Sequence, residues 1–241
     1  MIQHRPLVIA HRGAKGEAPE NTLAAFRLGL EQGCDAAELD IHMSRDGELM
    51  VCHDATIDRT TSGSGRIREM TADELRAHDA GAWFGGEFAG ERIPLLQEVF
   101  ELFPADVMIN VEIKDYGDDV QPRLIELLAR YNRFDSVIVS SFNHKCLARL
   151  KQLAPDVKIG LLYGENLVNH AGLADTAGFP VYSLHPNFRQ ISAEDVRDAV
   201  ARGLKVFPYT VNNKEHWNIA CEAGVTGIIT DFPGELRQFL R

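Results

Sequence analysis

Cysteine is sparse and unpatterned in this sequence. Cys34, Cys52, Cys146 and Cys221 stand far apart with no CxxC pair, which argues against a zinc knuckle or a disulfide framework and leaves reduced, buried thiols as the expectation. No stretch approaches the roughly 18 apolar residues of a membrane span, and the apolar run at 7–10 is too short for a secretory signal. A cytoplasmic protein without stable membrane association is expected. Basic charge is also short: 25 Lys and Arg stand against 35 Asp and Glu, a formal net charge of -10. The densest basic feature is the scattered pair Arg66 and Arg68, whereas proteins that track phosphate backbones concentrate Lys and Arg on one face, so nucleic acid is not an expected partner. Several hydrolase signatures are missing as well. There is no HExxH, HxH or GxSxG, and the glycine turn at 63–65 lacks the GK[ST] ending of a P-loop.

Short runs rich in Val, Ile and Leu alternate with helix-like stretches along nearly the whole chain. Eight candidate strands lie near residues 7–11, 36–42, 107–113, 136–141, 158–163, 181–184, 205–211 and 227–230. Eight strands with crossovers, in a chain of 241 residues that no Gly/Ser or Pro-rich linker divides, predict a single α/β domain over 1–241, a (β/α)8 TIM-type barrel. Asn21 is placed to cap a helix bearing Leu23, Phe26 and Leu30 and ending at Gly33, and Ser192 with Asp195 reads as a capping box. The stretch at about 54–92 interrupts the alternation. Its Thr, Ser and Gly cluster, short helical pattern and second glycine pair predict a small insertion after the second strand, with Trp83, Phe84 and Phe88 as its own core.

Side chains on a strand alternate faces. Ala37, Leu39, Ile41 and Met43 therefore share one side, and Glu38, Asp40 and His42 the other. The run at 107–113 repeats this, with Asn110, Glu112 and Lys114 on its polar side. In a barrel the apolar set packs on the helices, so the polar sets point inward, near the end of the strands where active sites sit. Glu38, Asp40 and Glu112 then converge. Three facing carboxylates repel and are costly to bury unpaired, which points to a divalent cation, and all-oxygen ligation favours Mg²⁺ or Ca²⁺. A structural network of these acids with Arg12 and Lys114 is the alternative. His11 and His53 close two apolar runs beside these acids and suit a general acid/base pair, because imidazole titrates near neutrality. Cys52 and His53 are strand neighbours and face opposite sides, which disfavours a Cys-His nucleophile. Arg12 and Lys114 supply the positive charge that a phosphate requires.

The ordered set His11-Arg12-Gly13, Pro19-Glu20-Asn21-Thr22, Glu38-Leu39-Asp40, Asp46-Gly47, His53-Asp54 and Glu112-Ile113-Lys114 resembles the glycerophosphodiester phosphodiesterase family. The similarity continues through Arg59-Thr60-Thr61, Ile93-Pro94-Leu95, Ser140-Ser141-Phe142, Thr210-Val211-Asn212 and Thr230-Asp231, nearly the full length in order. The resemblance implies a TIM-type barrel that hydrolyses small-molecule glycerophosphodiesters, such as glycerophosphocholine, to glycerol 3-phosphate and an alcohol. It implies Glu38, Asp40 and Glu112 as ligands of one divalent cation, His11 and His53 as the acid/base pair, and Arg12 and Lys114 as phosphate contacts. The family often has Trp where this chain has Tyr209, a candidate substrate wall together with Phe142, Phe188 and Trp83. Two alternatives stand beside this reading: a lipid phosphodiesterase of the lysophospholipase D or phosphoinositide type, and a noncatalytic barrel that binds glycerophosphodiesters. No amphipathic basic helix favours the first, and the filled motif positions weigh against the second.

Overall fold

The computed structural model describes residues 5–241. Its strands are β1 (Leu7–His11), β2 (Ala36–Met43), β3 (Leu49–Val51), β4 (Met108–Ile113), β5 (Val137–Ser141), β6 (Lys158–Tyr163), β7 (Ser183–Pro186), β8 (Lys205–Val206) and β9 (Gly227–Thr230). Eight of them form a nearly closed parallel barrel in the order β8-β7-β6-β5-β4-β2-β1-β9, and β3 runs antiparallel beside β2. The eight runs expected from the sequence all become strands of this barrel. Short β3, Leu49–Val51, is the addition.

The run expected at 205–211 is the one most shortened. Regular pairing ends at Val206, two residues before Pro208, which has no amide hydrogen for a ladder. The ring is completed there by individual backbone bonds: Thr226 N to Val206 O (3.0 Å), Ile229 N to Pro208 O (3.2 Å) and Val211 N to Ile229 O (2.9 Å).

Around the strands lie α1 (Leu23–Glu31), α2 (Ala72–Arg76), α3 (Leu96–Leu102), α4 (Val120–Arg130), α5 (His144–Leu153), α6 (Gly172–Thr176), α7 (Ala193–Ala201), α8 (Lys214–Ala223) and α9 (Pro233–Phe239). None is long and apolar enough to cross a membrane. Their apolar faces, with Phe26, Val99, Leu124, Leu147, Val196, Trp217 and Leu236, pack on the outward strand residues Ala10, Leu39, Val111, Val139 and Leu161. This layer is the main core, and its burial is the chief stabilising term of such a fold. Thr22, rather than Asn21, caps α1: its Oγ1 accepts from Ala25 N at 3.2 Å. Ser192 and Asp195 form the expected capping box on α7.

The barrel interior is layered. Ile9, Ala36, Ile138, Phe207 and Ile229 make an apolar plug. One pleat further along the strands, polar side chains take over. Buried Ser183 and His185 sit against Gly160, where a Cβ would come 2.4 Å from His185 Nε2. Burial drives the His185 pKa down to about 3, so this ring is neutral.

The segment at 54–92 does not build its core as expected. Ile57, Ile67, Leu75 and Ile93 pack with Met50 of β3 and with Cys52. Trp83 and Phe84 are largely exposed and stack edge to face with Phe88 across the surface. The glycines around them leave too little side chain nearby to enclose three rings.

Candidate active site

The site begins where β1 ends. Past His11 the chain turns through Arg12 at φ 54° and Gly13 at φ 81°. A Cβ on Gly13 would lie 2.6 Å from the Ala25 carbonyl carbon, so only glycine lets the turn settle on α1. The left-handed conformation of Arg12 is costly for a residue with a side chain, and the contacts it permits are specific. Arg12 N donates to Glu38 Oε2 (3.1 Å) and Nη1 to Glu20 Oε1 (2.9 Å), while Nε lies 3.2 Å from Asp40 Oδ2.

Parallel register sets Glu38 beside Asn110 and Asp40 beside Glu112 across β2 and β4. All three acids are buried, and one carboxylate oxygen from each lies within 4.8 Å of the others. Asn21 Nδ2 donates to Asp40 Oδ2 at 2.9 Å, so the residue expected to cap α1 braces an acid instead. Lys114 Nζ lies 2.5 Å from Glu112 Oε1 and 3.3 Å from Asp40 Oδ1. Both oxygens are nevertheless buried without a partner at hydrogen-bond angles. Converging carboxylates with oxygens held only by the Lys114 charge, in an all-oxygen donor set, fit a hard divalent cation.

The charges are unevenly shared. Burial opposes ionisation of Asp40, but Arg12 and Lys114 outweigh it and hold its pKa at about 2. Glu112 is raised to about 7 by burial and then by the Asp40 charge. Burial, with Asp40 and Glu112 nearby, raises Glu38 well above the usual carboxylate range. Lys114 loses from burial yet gains more from Asp40 and Glu112, so it stays an ammonium.

Two histidines face this cluster, each held by its own carboxylate. His11 Nδ1 donates to Asp231 Oδ1 at 2.6 Å, and its Nε2 lies 3.9 Å from Glu38 Oε2. His53 Nδ1 donates to Asp54 Oδ1 at 2.7 Å. In both, the bond fixes the proton on Nδ1 and leaves Nε2 as the free lone pair. Burial lowers both imidazole pKa values despite these acids. Arg59 ties the second pair into the frame, bonding Asp54 Oδ2 (2.7 Å) and both Glu20 oxygens (2.8 and 2.9 Å).

These groups line a cavity of about 360 Å³ that holds His11, Arg12, Glu38, His53, Glu112, Lys114 and Tyr209. Asp40 lies fully buried beneath it. Every site residue expected from the sequence is thus brought to one place. The aromatic walls divide. Phe142 meets Tyr209 edge to face, with centroids 6.0 Å apart, and Tyr209 donates its hydroxyl to the Tyr163 carbonyl at 3.1 Å. Phe188 lines a neighbouring cavity, and Trp83 packs on Phe84. Cys52 turns into the insertion core with its thiol pushed up to about 12 by burial.

Sequence reasoning gave no role to Asp231, Asp54, Glu20, Arg59 or Lys15. Asp231 and Asp54 carry a positional signal, one directly after a strand and one directly after His53. Lys15, which lines the cavity 3.7 Å from Asp231 Oδ1, has no local signal.

The model of the glycerophosphoryl diester phosphodiesterase family matches residues 11–235. A glycerophosphodiester phosphodiesterase of Caldanaerobacter subterraneus subsp. tengcongensis is 46% identical over 243 residues, covering 98% of each chain. A phosphodiesterase of Oleispira antarctica, solved in complex with the product sn-glycerol-3-phosphate, superposes with a TM-score of 0.90 at 30% identity, covering 97% of this chain and 96% of that one. A glycerophosphoryl diester phosphodiesterase structure from Silicibacter pomeroyi gives a TM-score of 0.88 at 26% identity over 98% and 93%.

Proposed function

The chain belongs to the glycerophosphoryl diester phosphodiesterase family, and from that membership we propose that it hydrolyses small glycerophosphodiesters to glycerol 3-phosphate and a free alcohol, with His11 and His53 as the acid/base pair. The observation that carries the reading is the pairing of each histidine with its own carboxylate on a cavity wall shared with three convergent acids. Neutral, Nδ1-protonated imidazole presents a base at Nε2. One ring takes the proton from the attacking oxygen, which belongs to water or to the glycerol 2-hydroxyl. The other, as imidazolium, gives a proton to the departing alkoxide, and each such transfer is worth about 10² to 10⁴ in rate.

Glu38, Asp40 and Glu112 would hold a divalent cation, Mg²⁺ or Ca²⁺, whose chemistry is Lewis-acid polarisation of the phosphate and charge neutralisation. Arg12 and Lys114 flank the same spot and pair with phosphate oxygens as fork and point charge. The Tyr209 ring, fixed by its hydroxyl bond to the Tyr163 carbonyl, walls the substrate and keeps water from one side. We read 1–241 as one barrel domain whose insertion at about 54–92 supplies Arg59 to the His53 side. A cytoplasmic setting suits the free cysteines, three of them buried.

The test is glycerol 3-phosphate release from glycerophosphocholine, glycerophosphoethanolamine and glycerophosphoglycerol. Protein stripped with EDTA is resupplied with Mg²⁺ or Ca²⁺, with His11→Ala in parallel. Metal-restored release that the variant lacks is expected. Release from none of the three substrates overturns the reading.

A further inference from the structure

A second cavity, of about 460 Å³, opens beside the first and shares Tyr209 and Thr210 with it. Its other walls come from the turns after β7 and β8 and the start of α8. Asn212, on its lining, donates to Asp231 Oδ2 at 2.8 Å, and Asp231 is the acid that orients His11. The second cavity therefore adjoins the His11 edge of the site.

Resting on the hydrolytic reading above, we propose that this cavity receives the leaving alcohol and selects an uncharged polyhydroxy alcohol, such as glycerol or inositol, over choline or ethanolamine.

Its free polar groups match hydroxyls. Asn187 uses its Oδ1 on Arg189 N (3.0 Å), and His216 uses Nδ1 on the Asn213 amide (3.1 Å). Asn187 Nδ2, the Arg189 guanidinium, Thr210 Oγ1 and His216 Nε2 have no partner among the described residues and line the cavity. The first, second and fourth donate, His216 because its Nδ1 accepts from the Asn213 amide, and the Thr210 hydroxyl both donates and accepts; hydroxyl oxygens satisfy such a set and an ammonium, with donors only or none, does not.

A cationic head group finds no carboxylate counter-charge in the lining of the second cavity among the described residues. The acids lining the first, Glu38 and Glu112, are committed to the cluster around Lys114 and Arg12. Aromatic faces could substitute, but Lys114 Nζ already stands 5.7 Å from the Phe142 centroid, Phe188 lies against the His216 ring at 5.0 Å, and Tyr209, which lines both cavities, is packed by Phe142 at 6.0 Å. Glu165, the acid on the turn after β6, accepts from Gly164 N (3.0 Å), is exposed and lines neither cavity. Lys15 adds positive charge to the first cavity and Arg189 to the second.

The experiment compares kcat/KM for glycerophosphoglycerol, glycerophosphoinositol, glycerophosphocholine and glycerophosphoethanolamine, read as glycerol 3-phosphate release by the metal-loaded full chain. A site built on hydrogen bonds to hydroxyls should favour the two polyol esters by about tenfold or more. Arg189→Glu places a carboxylate in the cavity and is expected to shrink that preference; Asn187→Asp should do the same more weakly. A wild-type preference for choline or ethanolamine overturns the proposal even when hydrolysis is confirmed. So does a polyol preference that both variants leave untouched. Release from none of the four esters removes the hydrolytic reading and this one with it.

Discussion

The barrel interior holds two floors, one pleat apart on the same strands, and they could hardly differ more. On the lower floor Ile9, Ala36, Ile138, Phe207 and Ile229 close the ring with apolar contact. On the upper floor, two residues later, stand His11, Glu38, Ser140, Tyr209 and Asp231. The lower set is stabilised by removal from water, whereas His11 and Glu38 of the upper set are buried against the preference of their charged forms. Neighbouring positions with one backbone geometry thus serve stability and chemistry separately, and substitutions on the two floors should report on different quantities.

The sharpest separation is expected at the histidines. His11→Ala or His53→Ala should cut kcat/KM by about 10² to 10⁴ while far-UV circular dichroism and the urea midpoint stay near wild type. A variant with wild-type turnover would remove that ring from the mechanism. Phe207→Ala tests the floor below. Truncating a fully buried aromatic should cost about 3 to 5 kcal/mol in urea unfolding, with the turnover of the folded fraction preserved; a loss of turnover larger than the loss of stability would merge the two floors.

Glu112→Gln crosses the comparison, because it should harm function and relieve the fold together. Its metal requirement for half-maximal activity is expected to rise, and an unchanged requirement would argue against ligation. In EDTA the sign reverses. The Glu112 carboxyl, raised to about 7, binds its proton more tightly in the folded than in the unfolded chain. Its share of stability is present below the ordinary carboxylate value and is lost as pH rises through about 7. Thermal unfolding of the metal-free protein should therefore show a downward slope across that window, smaller in Glu112→Gln; the same slope in both proteins would place its origin elsewhere. The smallest effect concerns the imidazoles. Burial lowers both, so the neutral, base-competent form persists below the ordinary value of 6.5, and the acid limb of the kcat/KM profile should lie below pH 6.5. A limb above it would show that bound charge, rather than burial, governs the rings.

Much of this was legible in the sequence for one reason. A strand's period of two writes the inward and outward faces directly into the order of residues, so Glu38, Asp40 and Glu112 could be placed on one face before any coordinates. What stayed hidden depends on contacts between distant segments or on local competition. Asp231 meets His11 across 220 positions only because the ring closes, and Glu20 meets Arg59 only because the insertion folds back. Trp83, Phe84 and Phe88 looked like a core by composition, but the glycines beside them give no enclosing side chains, and Ile57, Ile67 and Leu75 fill that role. Asn21 had the residue type of a helix cap, yet its amide bonds Asp40, and Thr22 takes the cap.

The bond between His11 and Asp231 joins the first strand of the ring to the turn after the last. In chain order β1, β2 and β4, which carry His11 and the three acids, all come before β9. Until that strand is placed His11 has no carboxylate to fix its tautomer. On the role proposed for His11, competence for turnover arrives with the closing strand, and activity reports on completed closure of the ring.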